Sequence, residues 1–184
     1  MKQLALLFLL MVTATVSYAQ RGSKGQHTAA MTYGCNVTSA YGWSMILAYN
    51  NYRQSGTFDA DFIYSYSKGA YEDIKVPVNN YMFYGGYSHR IAENYKRTFS
   101  FFIGANAGIG YTQCNRGESQ LTSGVELKTV EEISYALSPV IKVDCFITRL
   151  FGFTFRAQDL IFIKSDLLKP HNVTLSLGFK YLIQ

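Results

Sequence analysis

The final segment of the chain places the tightest limit on what it can fold into. From His171 to Gln184 it reads H-N-V-T-L-S-L-G-F-K-Y-L-I-Q, with large apolar side chains at every second position and Leu182 as the one departure. A period of two is typical of a β-strand, in a soluble antiparallel sheet or in a membrane barrel. The apolar face is unbroken to the chain end, and the other face is small or polar throughout. The segment therefore predicts an outer-membrane β-barrel strand, with lipid on one side and the lumen on the other.

The order of residues near the chain end matches the terminal signal that outer-membrane barrels present to their assembly machinery. A polar residue is followed by glycine and then by bulky residues at alternate positions, although Gln184 replaces the usual terminal aromatic. We therefore predict that outer-membrane lipid and the barrel assembly machinery are partners of this chain. The predicted signal consists of Ser176, Gly178, Tyr181 and Ile183.

The beginning of the chain has the three parts of a secretory signal peptide. Lys2 provides a positive start, an apolar run follows from Leu4 to Val16, and Ser17-Tyr18-Ala19 places small residues before Gln20. A membrane-anchoring helix is the alternative, but about a dozen apolar residues fall short of the roughly 20 that span a bilayer. We predict a cleavable signal peptide over residues 1–19, a disordered leader over 20–26 and one barrel domain over 27–184.

The composition fits a protein with two contrasting faces. The chain has 15 Tyr and 13 Phe but only 16% charged residues, and its mean hydropathy is close to zero. Strands that alternate between lipid and lumen reconcile these values, whereas a soluble periplasmic barrel or sandwich would carry Lys and Glu on its outer face. The formal net charge of +5 falls to +4 without Lys2. This charge is too small to indicate direct nucleic-acid binding, and no basic stripe accompanies it.

Period-two alternation recurs along the rest of the chain, interrupted by polar connections that contain glycine. We count about eight strands, which predicts an all-β, antiparallel, up-and-down transmembrane barrel with an interior filled by side chains. The last strand is expected to pair with the first, so that no strand edge remains. The predicted strands cover residues 27–35, 42–50, 58–66, 76–87, 98–111, 132–147, 151–158 and 171–184.

The lengths of the connections predict the orientation of the barrel. Outer-membrane barrels have short periplasmic turns and longer external loops. With the N-terminus in the periplasm, most of the longer connections of this chain face outward. The short turns are 53–56 and 148–150, and the longer polar connections are 67–73, 88–96 with a possible helical turn around Ile91 and Tyr95, 112–131 and 165–170.

Charged residues on the lumen-facing positions predict a network of ion pairs inside the barrel. Asp59 and Asp61 lie two residues apart on the third strand, a spacing that would also suit acid–base chemistry or a metal site. Lumen salt bridges are the simpler explanation, because small barrels have polar interiors. A tight turn at 148–150 would set Arg156 opposite Lys142. The predicted structural cluster contains Asp59, Asp61, Lys142, Asp144, Arg156 and Lys180.

The sequence contains no arrangement that is specific for catalysis, and we predict no catalytic, cofactor-binding or metal-binding residues. The glycine-rich run at 104–110 lacks the order of a nucleotide-binding loop. A lipid-A-modifying barrel enzyme remains an alternative, because His171 has Ser165 and Asp166 in the preceding loop. A catalytic nucleophile in such an enzyme needs a neighbouring base, and that base must itself be held by a third group.

The three cysteines are Cys35, Cys114 and Cys145. A bridge between Cys35 and Cys114 requires a loop to fold over the barrel mouth, because their strands are the first and the fifth and disulfides need Cα atoms within about 7 Å. The position of Cys145 predicts a lipid-facing thiol near the periplasmic end, where it behaves as a small hydrophobe.

Three segments of the chain suggest a likeness to one particular protein family. They read V-P-V-N-N-Y-M-F-Y-G-G-Y from Val76 to Tyr87, F-T-F-R-A-Q-D-L from Phe153 to Leu160, and H-N-V-T-L-S-L-G-F-K-Y-L-I at the end. Together with the length and the signal peptide, they resemble the conjugative transposon protein TraO family.

The resemblance implies a non-enzymatic component of the DNA-transfer apparatus of a mobile element, located in the outer membrane. It implies other proteins of that apparatus as partners, and it supplies no catalytic residues or cofactor. Fold alone does not define the role within the apparatus. The alternatives are a general outer-membrane barrel for anchoring or adhesion and the lipid-A-modifying enzyme.

Overall fold

The computed structural model describes residues 25–38, 42–71, 74–94, 98–119, 127, 129–165 and 167–183. The predicted signal peptide and most of the predicted leader lie outside these residues. Within the described residues, no helix is long and apolar enough to cross a bilayer.

In this part of the chain, eight antiparallel strands form one closed barrel in which each strand pairs with its neighbours in sequence. The prediction of an eight-stranded up-and-down barrel is confirmed. The strands are β1 His27–Asn36, β2 Gly42–Tyr52, β3 Gly56–Tyr71, β4 Ile74–Glu93, β5 Phe99–Cys114, β6 Glu131–Phe146, β7 Phe151–Lys164 and β8 His171–Ile183.

The barrel closes through the pairing of β8 with β1, from His27 opposite Ile183 to Asn36 opposite Thr174. The strands are also staggered. The row of paired residues that starts at Tyr181 returns to β8 at His171, ten residues away, after one circuit through the other seven strands. Such a stagger tilts the strands and sets the width of a barrel, and with eight strands the interior is just wide enough for side chains.

The two faces of the wall have opposite chemistry. Along β8 the burial alternates strictly, with Lys180 buried and Phe179 68% exposed, and the same alternation runs along the other strands except over the last residues of β4. The outward apolar side chains are exposed, which is the reverse of a soluble protein and matches a wall that faces lipid. The most exposed of them include Met31, Tyr33, Phe58, Phe83, Ile133, Leu137, Ile163, Leu177 and Phe179.

The connections divide the barrel into two ends, which we name here. The turn end carries the short connections at Arg53–Ser55 and Ile147–Leu150, as predicted. The loop end carries the connections after β1, β3, β5 and β7. The prediction of a longer loop at 67–73 was wrong, because β3 and β4 pair up to Tyr71 opposite Ile74. In the described part of this hairpin, Ser67, Lys68 and Gly69 of β3 include no large apolar side chain, so the alternation that marks a strand is lost.

The predicted connection at 88–96 was also wrong. Strand β4 continues to Glu93, and the register shifts between Arg90 and Ala92. This bulge adds Ile91 to one strand, which interrupts the period of two and gave the false impression of a helical turn. Tyr95 lies outside the described residues. Strand β7 likewise continues past the predicted end, to Lys164.

Side chains fill the lumen in layers. Near the turn end, Tyr52, Phe102 and Phe146 form an aromatic floor. A first apolar layer lies further along the lumen, and a second lies at the loop end. The first apolar layer contains Ile46, Ile63, Met82, Tyr84, Ala136, Leu160 and Phe162, and the second contains Val76, Val78, Cys114 and Leu127.

Glycines on the lumen side of β5 make room for these bulky groups. A Cβ atom on Gly108 would lie 2.4 Å from Cδ1 of Tyr84 and 2.6 Å from the carbonyl oxygen of Phe83. Gly85 of β4 faces outward, and a Cβ there would meet nothing within 4 Å. The two glycines therefore offer opposite tests of the packing.

We expect Gly108→Val to destabilise the barrel by at least about 2 kcal/mol, because overpacking a filled interior forces side chains and backbone apart. Gly85→Val, on the open outer face, is the matched control and should cause no loss. Denaturant unfolding in detergent, together with the heat-dependent shift on a gel, measures both. Equal stability of the two variants would contradict the packed lumen.

Candidate functional site

The structure places all six residues of the predicted lumen cluster inside the barrel, where each is at most 5% exposed. They form three ion pairs. Lys142 Nζ lies 2.9 Å from Asp59, Arg156 Nη2 lies 2.5 Å from Asp61, and Lys180 Nζ lies 2.6 Å from Asp144. Lys142 is directly opposite Arg156 across the β6–β7 pair.

Hydroxyl and amide groups also donate hydrogen bonds to these carboxylates. Asp144 accepts hydrogen bonds from the Tyr52 hydroxyl at 2.6 Å and from Thr154 at 2.8 Å. Asp59 accepts from Asn50, Thr57 and Ser88, and Asp61 accepts from Asn106. A buried carboxylate needs such donors because it has lost its hydration. The sequence analysis missed these partners, since a small polar residue on a lumen position has no feature that identifies its partner.

The three ion pairs connect strands that are not neighbours in the wall. Asp59 and Lys142 join β3 to β6, Asp144 and Lys180 join β6 to β8, and Asp61 and Arg156 join β3 to β7. In a closed barrel of eight strands, β3 and β7 stand opposite each other. The Asp61–Arg156 pair therefore joins opposite walls across the lumen, and the other two pairs bridge strands that are separated by one or two intervening strands.

Cations also contact the aromatic floor. Lys180 Nζ lies 5.5 Å from the ring centre of Tyr52, and Lys142 Nζ lies 5.1 Å from that of Phe102. Ring faces attract cations at these distances. Floor and ion pairs thus form one connected plug near the turn end.

Carboxylates alone do not make this plug a metal or acid–base site. Each of the three aspartates is already paired with a cation, and in the described part of the chain no three His, Cys, Asp or Glu side chains are grouped to hold a metal ion. The arrangement links strands of the barrel across its interior.

The residues of the predicted assembly signal lie on both faces of β8. Ser176 and Gly178 face the lumen, where Gly178 leaves room for the backbone of Met31 and Thr32. Tyr181 and Ile183 face outward, and the Tyr181 ring lies 5.1 Å from that of Phe151. Recognition of these residues by an assembly machinery stays a prediction.

His171 and Ser165 belong to different hydrogen-bonded pairs. His171 Nδ1 lies 2.8 Å from Asp159 on β7, and Ser165 donates a hydrogen bond to Glu132. Asp166 lies outside the described residues. Asp159 was missed because the predicted strand ended at Gln158, although Asp159, Ile161 and Ile163 continue the outward alternation.

The three cysteines are free thiols. Cys35 is exposed on the outer face, whereas Cys114 is buried in the apolar layer at the loop end with Val78 and Leu127. The two side chains point to opposite faces of the wall, so the geometry excludes the bridge in this conformation. Cys145 is half-buried on an outward position, as predicted.

Removing one member of an ion pair tests the plug. Lys180→Met keeps most of the side-chain volume but leaves Asp144 buried without its cation, which we expect to cost about 3–5 kcal/mol. Lys180→Met combined with Asp144→Asn should recover part of the loss, because no unpaired charge remains. Unfolding in detergent measures each variant.

The exposed Lys169 provides the control, since Lys169→Met should change stability by less than about 0.5 kcal/mol. If Lys180→Met lowers the free energy of unfolding no more than Lys169→Met does, the buried pair does not stabilise the barrel.

Solved structures with the same fold are small outer-membrane barrels. Neisserial surface protein A superposes with a TM-score of 0.64 at 13% identity, over 86% of this chain and 97% of that protein. Ail, the attachment invasion locus protein of Yersinia pestis, superposes with a TM-score of 0.53 at 14% identity, over 88% of this chain and 100% of that protein. At such low identity the likeness concerns the fold.

No curated protein matches the chain in sequence. The sequence profile described as conjugative transposon protein TraO, however, matches residues 19–183, which is nearly the whole chain. The match spans the three segments that suggested this likeness and every strand of the barrel. The chain therefore belongs to the TraO family of conjugative transposon proteins.

Proposed function

We propose that this protein is a non-enzymatic outer-membrane component of a conjugative transfer apparatus, exported by its signal peptide. The observation that carries the proposal is the TraO family match over residues 19–183. The closed barrel with an apolar outer face supports the membrane part of the proposal, because such a wall is stable only where lipid covers it.

The filled lumen argues against a role as a channel for DNA. Ion pairs cross the barrel, and the floor of Tyr52, Phe102 and Phe146 lies beneath them. An eight-stranded barrel with this interior has no room for a DNA strand. The protein therefore acts through its surfaces, and we propose that the loop end or the turn end docks other proteins of the apparatus.

A general barrel for anchoring or adhesion is the second candidate. The observation that favours it is the fold shared with Ail, a protein named for attachment and invasion. The lipid-A-modifying enzyme is the third candidate, and its strongest feature is the exposed His171–Asp159 pair. A base held by a carboxylate is one part of such a site, but a nucleophile must also lie within hydrogen-bond reach.

The transfer role predicts a defect that adhesion alone does not explain. Deletion of the gene in a donor should reduce conjugation frequency by at least about tenfold, and wild-type protein or the Gly85→Val variant should restore it. Donor–recipient attachment and the lipid A profile are measured in the same strains. Unchanged transfer frequency would contradict the proposal. If transfer is reduced in liquid but returns fully when cells are pressed together on a filter, the defect lies in cell contact, which favours adhesion.

The orientation can be tested with single cysteines. In a background with Ser at positions 35, 114 and 145, Arg116→Cys at the loop end should react with a membrane-impermeant maleimide on intact cells. Arg149→Cys, in the β6–β7 turn, should react only after the outer membrane is opened. If only Arg149→Cys is labelled on intact cells, the barrel has the opposite orientation. Extraction of the protein without detergent would contradict the membrane location.

A further inference from the structure

A polar pocket lies on the outside of the barrel wall at the loop end. It has a volume of about 480 Å³, within the range of about 300–1,000 Å³ of small-molecule sites. One side is the outer face of the β3–β4 hairpin, and the other is the turn that follows β5. Its lining residues are Tyr64, Tyr66, Pro77, Asn79, Asn115, Arg116 and Glu118.

Trp43 on β2 fixes the aromatic side of the pocket. Its ring lies 5.2 Å from that of Tyr64 in an edge-on arrangement and 6.3 Å from that of Tyr66. The Tyr64 hydroxyl donates a hydrogen bond of 2.9 Å to Oδ1 of Asn79. These contacts limit ring rotation, so the tyrosines present an ordered surface to a ligand.

Three polar groups with different hydrogen-bonding properties surround these rings. Because Asn79 accepts from Tyr64 through Oδ1, its amide nitrogen is the part that can donate to a ligand. Arg116 adds a planar donor, and the carboxylate of Glu118 adds an acceptor. One positive and one negative side chain leave these groups without net charge.

The turn that carries Arg116 has an unusual backbone. Asn115, Arg116 and Gly117 have φ angles of 48°, 58° and 88°, all in the left-handed region that side chains other than glycine rarely adopt. Hydrogen bonds from Asn115 Nδ2 to the Glu118 carbonyl and from the Glu118 amide to the Asn115 carbonyl hold the turn. A strained, well-anchored turn is common where a side chain must be aimed at a ligand.

The pocket also lies just beyond the apolar band of the wall. Going toward the loop end along β4, the outward residues change from Phe83 and Tyr81 to Asn79 and Pro77. The ring of Tyr81, at this border, lies 5.0 Å from that of Tyr64 in a tilted arrangement. Tyr and Trp rings mark the border between lipid and water in such barrels. A ligand in this pocket would therefore lie just outside the apolar band, at the level of the lipid head groups.

We propose that this pocket binds a carbohydrate. The C–H faces of a sugar ring pack on aromatic rings, and its hydroxyls, which both donate and accept, match an amide, a guanidinium and a carboxylate placed around those rings. The balanced charge favours contacts with sugar hydroxyls over contacts with an isolated phosphate group. Apart from the tyrosines and Pro77 the lining is polar, and it offers no deep apolar recess for the anchor residue of a peptide.

Two variants test the proposal without relying on an unstable protein. Arg116→Gly removes the guanidinium but accepts the left-handed backbone without strain, so the barrel should remain folded. Tyr66→Ala removes one ring of the pocket. Tyr135→Ala is the matched control, because Tyr135 is an outward tyrosine of β6, 50% exposed, that does not line the pocket.

Binding is measured by calorimetry on the full barrel in detergent micelles. The probes are the core oligosaccharide released from host lipopolysaccharide, lipid A without sugars beyond its own disaccharide, and the neutral oligosaccharides maltoheptaose, chitotetraose and mannotetraose. We expect one of the core or neutral oligosaccharides to bind, with at least tenfold weaker binding to Arg116→Gly and Tyr66→Ala and unchanged binding to Tyr135→Ala. Binding of the core would identify the sugar as that of an outer-leaflet glycolipid, and binding of a neutral oligosaccharide would indicate a separate glycan.

Absence of binding by every oligosaccharide, or equal binding by all four proteins, would overturn the proposal. Binding of lipid A alone would do the same, since it would reflect the apolar wall. None of these results depends on conjugation, so failure here would leave the transfer role untouched.

Discussion

The structure depends on one constraint, which is that every backbone hydrogen-bonding group in the wall must find a partner within the protein. Lipid offers no donors or acceptors, so an open strand edge in the apolar band costs several kcal/mol for each unpaired group. The pairing of β8 with β1 removes that edge. Once the sheet is closed, the outer positions must be apolar and the inner positions must fill a narrow lumen, which explains why burial is inverted relative to a soluble protein.

A narrow lumen in turn gives its charged residues their partners. Asp61 and Arg156 lie on strands that stand on opposite sides of the barrel, and only a barrel of this width brings them into contact. Because the charges are removed from water, each is stabilising only as part of its pair. The same contacts fill the lumen, which is why we propose that other molecules bind at the outer surface and at the two ends.

The outer surface is not uniform. Most of it is an apolar band, but the β3–β4 hairpin continues beyond that band and carries Asn79 and Pro77 into water. Together with the left-handed turn at Asn115 and Arg116, it provides a polar pocket beside ordered aromatic rings. This feature distinguishes the loop end from the turn end, where the connections are short and the floor of the lumen is aromatic.

The sequence by itself determined the class of the fold, the closing strand and the faces on which residues such as Asp59 and Lys180 lie, because alternation is a local property of each strand. It failed where alternation failed, at the polar hairpin after Tyr66 and at the bulge near Ile91. The tertiary structure alone decided that Lys180 pairs with Asp144, that His171 pairs with Asp159, and that Tyr66 and Arg116 share a pocket. These contacts join residues far apart in sequence, and they depend on the stagger of the closed barrel, which no single strand encodes.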